Sequence, residues 1–311
     1  MRNKTSVTEF LLLGFSDHTN VNLILFVVFL FVYIITVLGN ILLLMVIYID
    51  PALHTPMYFL LRNLSFLDLC YSSVILPKML ANLLSDNKTI SFAQCAVQMF
   101  FFLFFGLTEC FLLTSMAYDR YSAICNPLRY TAIMNKRVCL QLTAGSWICG
   151  TLMAMGQTSS LFTLPFCGSN TINNFFCDIQ AVLKLVCGDT FWVEIQIFVC
   201  AAFALFMPLL LILISYICII SAILKIRSAK GRRKAFSTCS SHLTVVILCA
   251  GSALITYARP KSTYGQGEVK VFSLFYSVGI AFLNPIIYSF RSKEVKGALR
   301  KVTLKICKEE R

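Results

Sequence analysis

Met116-Ala-Tyr-Asp-Arg-Tyr-Ser-Ala-Ile-Cys125 ends a long apolar run and sets three polar residues, Asp119, Arg120 and Tyr121, where a hydrophobic helix should leave a membrane. Charges are expensive at membrane depth, and those that stand there usually serve a purpose. An adjacent acid and base at such a boundary can hold each other in one state and be released in another. That is the chemistry of a latch between two conformations.

Working outward, the whole chain supports a membrane reading. Of 311 residues, 58% are hydrophobic and 13% charged, and the mean hydropathy is +0.78, unlike a soluble domain. A spanning helix needs about 20 mainly apolar residues. Seven stretches supply them, at 23–49, 57–80, 96–120, 140–164, 191–224, 237–258 and 269–290. The expected fold is an all-α membrane protein, a seven-transmembrane helix bundle. Its expected parts are an outer tail at 1–22, the bundle at 23–290 and an inner tail at 291–311, with no linker that would divide the bundle. In that inner tail Val295, Leu299, Val302 and Ile306 fall on one face, which suggests a short amphipathic helix on the membrane surface.

The net charge of +13 is spread unevenly. Most basic residues fall at Arg62, at Arg120, Arg129, Lys136 and Arg137, in the run from Lys225 to Lys234, and from Arg291 onward. Lys and Arg in short loops mark the cytoplasmic side, so the N-terminus lies outside and the C-terminus inside. This bias accounts for the charge without nucleic acid as a partner. The 225–234 loop suits either anionic lipid or an acidic protein surface. Residues 1–22 show no cleavable signal peptide, and the first span is expected to act as its own insertion signal. Asn3-Lys4-Thr5 is the favoured glycosylation site; Asn87-Lys88-Thr89 is another match, whereas Asn63-Leu64-Ser65 lies inside a span.

Most of the 14 cysteines sit in spans, where Cys behaves as a small buried hydrophobe. Cys95, Cys167, Cys177 and Cys187 instead fall on the oxidising outer side, where disulfides persist. Four cysteines allow three connectivities, and spacing does not choose among them. Cys307 in the basic tail is open to palmitoylation or to the role of an ordinary surface thiol.

Further segments stand in a fixed order along the chain. Gly39-Asn40 lies in the first span, and Thr55-Pro-Met-Tyr-Phe-Leu-Leu-Arg-Asn-Leu-Ser-Phe-Leu-Asp-Leu-Cys70 enters the second. Ser215-Tyr216 ends the fifth, Lys234-Ala-Phe-Ser-Thr-Cys-Ser-Ser-His242 opens the sixth, and Asn284-Pro-Ile-Ile-Tyr-Ser289 closes the seventh. With Met116–Cys125 and the loop Phe176–Cys187, this set resembles the olfactory receptors among the rhodopsin-like (class A) G-protein-coupled receptors. The resemblance implies disulfides Cys95–Cys177 and Cys167–Cys187. It also implies a plasma-membrane odorant receptor that takes small, largely apolar volatile ligands and raises cyclic AMP through a stimulatory G protein of the olfactory type. A receptor of the same fold for a metabolite, in another tissue, is the alternative. Neither reading involves enzymatic activity or a cofactor.

The resemblance assigns the conformational switch to Asp119, Arg120, Tyr121, Tyr216, His242, Asn284, Pro285 and Tyr288. Arg120, held at rest beside Asp119, is expected to be freed when the sixth helix swings out, with Tyr216 and Tyr288 placed to receive it. Asp68 and Glu109 are the carboxylates deepest in the spans, and two buried acids in one bundle cannot both ionise cheaply. One takes a proton or both share a cation such as sodium, with Asn40 and Asn284 as further polar partners. The same residues also suit a plain hydrogen-bonded packing cluster.

Pockets in helical bundles form between helices. The candidate walls are Phe102, Leu103, Gly106 and Leu107 of the third span and Cys200, Ala204 and Leu205 of the fifth. The sixth contributes Ala253, Leu254 and Tyr257, and the seventh Leu274 and Ser277. No acid stands in the outer part of the third span, so a neutral ligand fits better than an amine. Arg259, Lys261 and Lys270 ring the outer mouth. The chain departs from the family pattern in three places: Ser122 replaces a usual Val, Cys249-Ala250-Gly251 a common Phe-Tyr-Gly, and Ile280-Ala281 a frequent Thr-Pro. The loss of two aromatics under the pocket should enlarge it or alter the coupling between ligand and the sixth helix. A transporter would show internal repeats and paired broken helices, and no metal or nucleophile motif of an enzyme is present. His18, His54 and His242 fall in different regions and do not suggest a metal site.

Overall fold

A computed structural model of the chain describes residues 7–14, 19–167, 169–257, 274, 278–291 and 294–301. Its long helices are α1 (Thr19–Ile49), α2 (Pro56–Leu84), α3 (Phe92–Cys125), α4 (Lys136–Phe162), α5 (Phe191–Leu224), α6 (Ala229–Tyr257) and α7 (Ile280–Arg291). A final helix, α8, runs over 294–301. The helices α1 to α5 are each long and apolar enough to cross a membrane, and α6 carries the apolar stretch Cys239–Ser252. The outer part of the expected seventh span lies outside the described residues.

Local chemistry sets the helix boundaries. Pro56 starts α2 with a φ already suited to a helix. Ser91 and Gln94 form a reciprocal capping box on α3, Ser91 Oγ accepting from the Gln94 amide at 3.2 Å. Asn135 caps α4 by accepting from the Val138 amide at 3.1 Å. Within α5 a π turn, Ala202–Phe206, comes just before Pro208. A proline removes one backbone donor, and such turns are frequent at functional sites.

The central member is α3, which packs against α2, α4 and α5 and touches α6. On the flank, α1 packs against α2 and α7, and many of its apolar residues, Phe31 and Leu38 among them, face outward as lipid contact requires. Two close approaches depend on glycine. A Cβ on Gly39 would stand 3.3 Å from the Pro285 ring, so Gly39 lets α7 lie against α1. A Cβ on Gly150 would collide with the Thr108 hydroxyl and lie 3.1 Å from the Phe104 carbonyl, so Gly150 sets the α3–α4 distance.

The outer end is closed by more than loops. The expected polar tail contains a strand, β1 (Glu9–Leu12), which pairs antiparallel with β2 (Thr89–Ser91) and parallel with β3 (Thr171–Ile172). Its alternation buries Phe10 and Leu12, and Phe10 meets Phe92 and Phe166 at ring-centroid distances of 6.0 and 5.6 Å. Disulfides Cys95–Cys177 and Cys167–Cys187, with Cα separations of 5.5 and 5.7 Å, fasten the loop to α3 and close it on itself. Gln98 adds a polar clamp: its Nε2 donates to Val74 O at 3.2 Å while its Oε1 accepts from the Cys177 amide at 3.0 Å.

At the inner end α8 turns Val295 and Ala298 into the protein and leaves Lys296 and Arg300 exposed. Lys301 reaches Asp50 at 3.2 Å, tying α8 to the loop between α1 and α2. The Ala52 amide, and then the Lys301 ammonium, hold the Asp50 carboxyl below its ordinary pKa. Of the expected amphipathic face, Val302 and Ile306 lie outside the described residues, as does Cys307.

The Gly150 contact is directly testable. In thermal unfolding of the purified protein, Gly150→Ala should destabilise by about 1–3 kcal/mol through overpacking. Gly145→Ala, where an added Cβ meets nothing within 4 Å, should be neutral or stabilising by up to about 1 kcal/mol. Equal effects at the two positions would contradict the packing described.

Candidate functional site

The inner ends of α3, α5 and α6 are joined through one histidine. His242 Nε2 lies 3.1 Å from the Leu113 carbonyl, which can only accept, so Nε2 carries the hydrogen. In a neutral ring Nδ1 is then an acceptor, and the Tyr216 hydroxyl donates to it at 2.8 Å, with the Cys239 carbonyl also within 3.2 Å of that hydroxyl. The two rings lie nearly parallel, 9° apart with centroids 5.8 Å apart. His242 is fully buried. His242, which the resemblance assigns to the switch, thus links three helices.

The acid–base neighbours do not close on each other. Asp119 is buried and accepts a hydrogen bond from the Tyr130 hydroxyl at 2.8 Å, while its other oxygen has no partner among the described residues. No direct ion pair joins Asp119 to Arg120: the acid is hydrogen-bonded to the helical turn Tyr130–Ile133, and Arg120 acts on it by charge alone. A helix projects neighbouring residues about 100° apart, so adjacency in sequence does not aim two side chains at each other. Burial, and then the Asp119 charge, push the Tyr130 phenol's pKa up, which keeps it a donor. Arg120 is half-buried, its Nε has no partner among the described residues, and its charge acts on Tyr216, Cys239, His242 and Tyr288. The Tyr288 hydroxyl is buried and equally without a partner among the described residues. Tyr121 is half-buried on the other side, against Tyr118.

Higher in the bundle, Asn284 Nδ2 donates to Asp68 Oδ2 at 2.9 Å. The same amide faces Glu109, whose charge in turn acts on Asp68. Asn40 donates to Thr36 O at 3.0 Å and to Ala281 O at 3.4 Å, so it bridges α1 and α7 rather than joining the carboxylates by a hydrogen bond. Asp68 and Glu109 are each 1% exposed. Asp68 Oδ1, Glu109 Oε1, Asn284 Oδ1 and Asn40 Oδ1 lack donors among the described residues. Such an acceptor-rich set suits a proton or a hard monovalent cation. Pro285 follows Asn284 inside α7 and packs on Gly39.

A cavity opens between α3, α4 and α5 under the outer loop, with about 620 Å³ of empty space including its open mouth. Its walls are Tyr71, Phe102, Leu103, Gly106, Leu107, Cys110, Gln157, Ile179, Ile197, Ala201, Ala204 and Leu205. Six of the expected wall residues are there: Phe102, Leu103, Gly106, Leu107, Ala204 and Leu205. Cys200 is not, because Ile197, Ala201 and Leu205, spaced by four, form the stripe of α5 that faces the cavity. Leu274 is buried elsewhere. The side chains of Ala253, Leu254 and Tyr257, and all of Ser277, Asn3, Arg259, Lys261 and Lys270, lie outside the described residues.

The sequence reading missed Cys110, Ile197 and Ala201 on helices it had named, and Gln157, Ile179 and Tyr71 on elements it had not. Only the two-residue distance of Ile179 from the bridging Cys177 could have pointed to one of these last three. Below this cavity, Cys249 and Ala250 line a second space of about 280 Å³, with Cys110 and Leu205 forming part of both walls. Cys249 and Ala250, where the family commonly carries Phe-Tyr, thus border this space, and the Cys249 thiol meets that of Cys110. No cluster of three or more His, Cys, Asp or Glu suited to a metal occurs among the described residues.

The bundle superimposes on the crystal structure of squid rhodopsin with a TM-score of 0.70 at 20% identity, over 94% of this chain and 87% of that one. The class is thus the seven-helix bundle of the rhodopsin fold. The family model described as "Olfactory receptor" matches residues 29–306. Olfactory receptor 10C1 of Homo sapiens is 54% identical over 303 residues, 97% of each chain. Olfactory receptor 5G3 of Homo sapiens is 52% identical over 300 residues, and Olfactory receptor 5G29 of Mus musculus 49% over 300, each covering 96% of both chains. The chain belongs to the olfactory receptor family. It is a multi-pass plasma-membrane signalling receptor and not an enzyme.

Tyr216→Phe tests the histidine link. It leaves a buried imidazole nitrogen unpaired, and the unliganded receptor should lose about 1–3 kcal/mol of stability. Unchanged thermal unfolding would show that the 2.8 Å contact carries no weight.

Proposed function

We propose that the chain is an odorant receptor in which a small, largely apolar ligand in the α3–α4–α5 cavity shifts the bundle toward a state open at its inner end. In that state it engages a stimulatory G protein of the olfactory type and raises cyclic AMP. Ligand and G protein each stabilise the open state by binding it better than the closed one.

The observation that carries this reading is the setting of Arg120. A half-buried cation with no ion pair among the described residues acts by its charge on two tyrosines, one of them engaged by His242 and the other with no partner among those residues. For Tyr216 to turn to Arg120 its hydroxyl must leave His242, and the link between α5 and α6 then breaks. Opening of α6 and recruitment of Tyr216 are in this way a single event. Asp119, held by Tyr130, keeps the second inner loop docked on α3 while this happens. Asp68 and Glu109 would hold a shared proton or a sodium ion, with Asn284 oriented by Asp68. Such an ion supplies positive charge that lets both carboxylates stay ionised in a dry interior. The exposed basic face of α8 lies along the anionic inner leaflet.

Cells displaying the receptor, exposed to a panel of volatile ligands, should show dose-dependent cyclic AMP. Arg120→Ala at equal surface density should lower that response at least about tenfold, as loss of a charged contact made only in the signalling state would. A variant that reaches the surface and responds normally would sink the proposed role of Arg120.

A further inference from the structure

Gln157 is the odd member of the cavity wall. It is 5% exposed, lines the cavity from α4, and has no hydrogen-bond partner among the described residues. Among the other polar residues of α4, Ser146, Thr151 and Ser159 return their hydroxyls to carbonyls of their own helix at 2.7–2.8 Å, whereas Thr143 and Thr158 have no partner among the described residues but do not line the cavity. An amide side chain carries two donors and an acceptor, and burying it unpaired in an apolar site is costly. Around it stand Phe102, Leu103, Ile179 and Ile197, and no charged side chain lines the cavity among the described residues.

We propose that Gln157 is the polar anchor of this cavity and selects uncharged ligands that carry a hydrogen-bonding oxygen on an apolar body. The proposal rests on the reading of the cavity as the ligand site. A ketone, aldehyde or ether oxygen accepts from the amide N–H. An alcohol either accepts from it or donates to the amide oxygen. A pure hydrocarbon fills the space but leaves the amide unpaired. An ionised carboxylate is disfavoured, because no cation faces it there and a buried charge needs a partner. Sites built to hydrogen-bond a group discriminate strongly against analogues that lack it, whereas apolar walls discriminate weakly by shape.

The test uses the full chain in lipid nanodiscs, with thermal unfolding followed in 2-hexanone, 1-hexanol, n-hexane and hexanoate at one matched free concentration. The ketone and alcohol should raise the midpoint more than hexane or hexanoate. In Gln157→Leu and the length-preserving Gln157→Met, ketone and alcohol should lose roughly ten- to a hundredfold in apparent affinity while hexane keeps or gains. Without ligand both variants should unfold at the wild-type temperature or above, since no hydrogen bond is lost. A fall in the unliganded midpoint of both variants would make Gln157 structural and overturn the proposal. So would stabilisation by the oxygenated probes that ignores residue 157. If no probe stabilises even the wild type, the ligand-site reading fails and takes this proposal with it.

Discussion

The interior of this bundle lies within hydrocarbon, where a polar group finds no water and must be paired within the protein. That constraint organises everything else. The polar side chains inside the spans divide into those whose partners are fixed by the resting fold and those left with capacity. Gln98 and Thr108 belong to the first group: Gln98 ties the outer loop to α2 and α3, and Thr108 bonds within α3. Asp68, Glu109, Asn284, Arg120 and Tyr288 keep unpaired atoms among the described residues. A static scaffold would carry few such atoms. Their column from the middle of the bundle to its inner end is where a second arrangement of the helices has something to gain.

The two ends of the molecule are built for opposite tasks. The outer end is fastened by two disulfides, the Gln98 clamp and a three-stranded sheet whose Phe10 stacks on Phe92. It holds the roof of the cavity, including Ile179, in a fixed place relative to α3. The inner end has no covalent tie among the described residues. Its contacts are the His242 link, the Tyr130–Asp119 bond and the Lys301–Asp50 pair. An exposed ion pair of that last kind is worth little. A firmly fastened outer end over a more loosely joined inner end is what the proposed opening requires.

Much of this was legible in the chain. Seven apolar stretches of spanning length, and the bias of Lys and Arg, require no structure to read, because length and charge in a bilayer are local properties. The order of motifs carried the family, and the cysteine pairs followed from that resemblance. What stayed hidden depends on where side chains point. Asp119 and Arg120 are neighbours in sequence, yet Asp119 finds Tyr130 eleven residues on, because a chain reversal at Pro127 brings the next helical turn under α3. Gln157 looked like any polar residue in a mixed helix; only the gap between α3, α4 and α5 gives it a role. The strand at Glu9–Leu12 was read as polar tail, although its alternation was present in four residues, too few to separate from chance without the two edges it joins. Cys249 departs from the family pattern, and in the structure it borders the space beneath the cavity, beside Cys110.

The claim at the centre of this account is that ligand opens the inner end by parting α6 from α3. The direct measurement is a pulsed-dipolar distance between spin labels at Asn126, which ends α3, and Arg232, near the start of α6, on receptor in nanodiscs with and without a ligand that raises cyclic AMP. The account predicts a second, longer distance whose population grows with ligand occupancy. A ligand that signals fully while the distance distribution stays unchanged would contradict it.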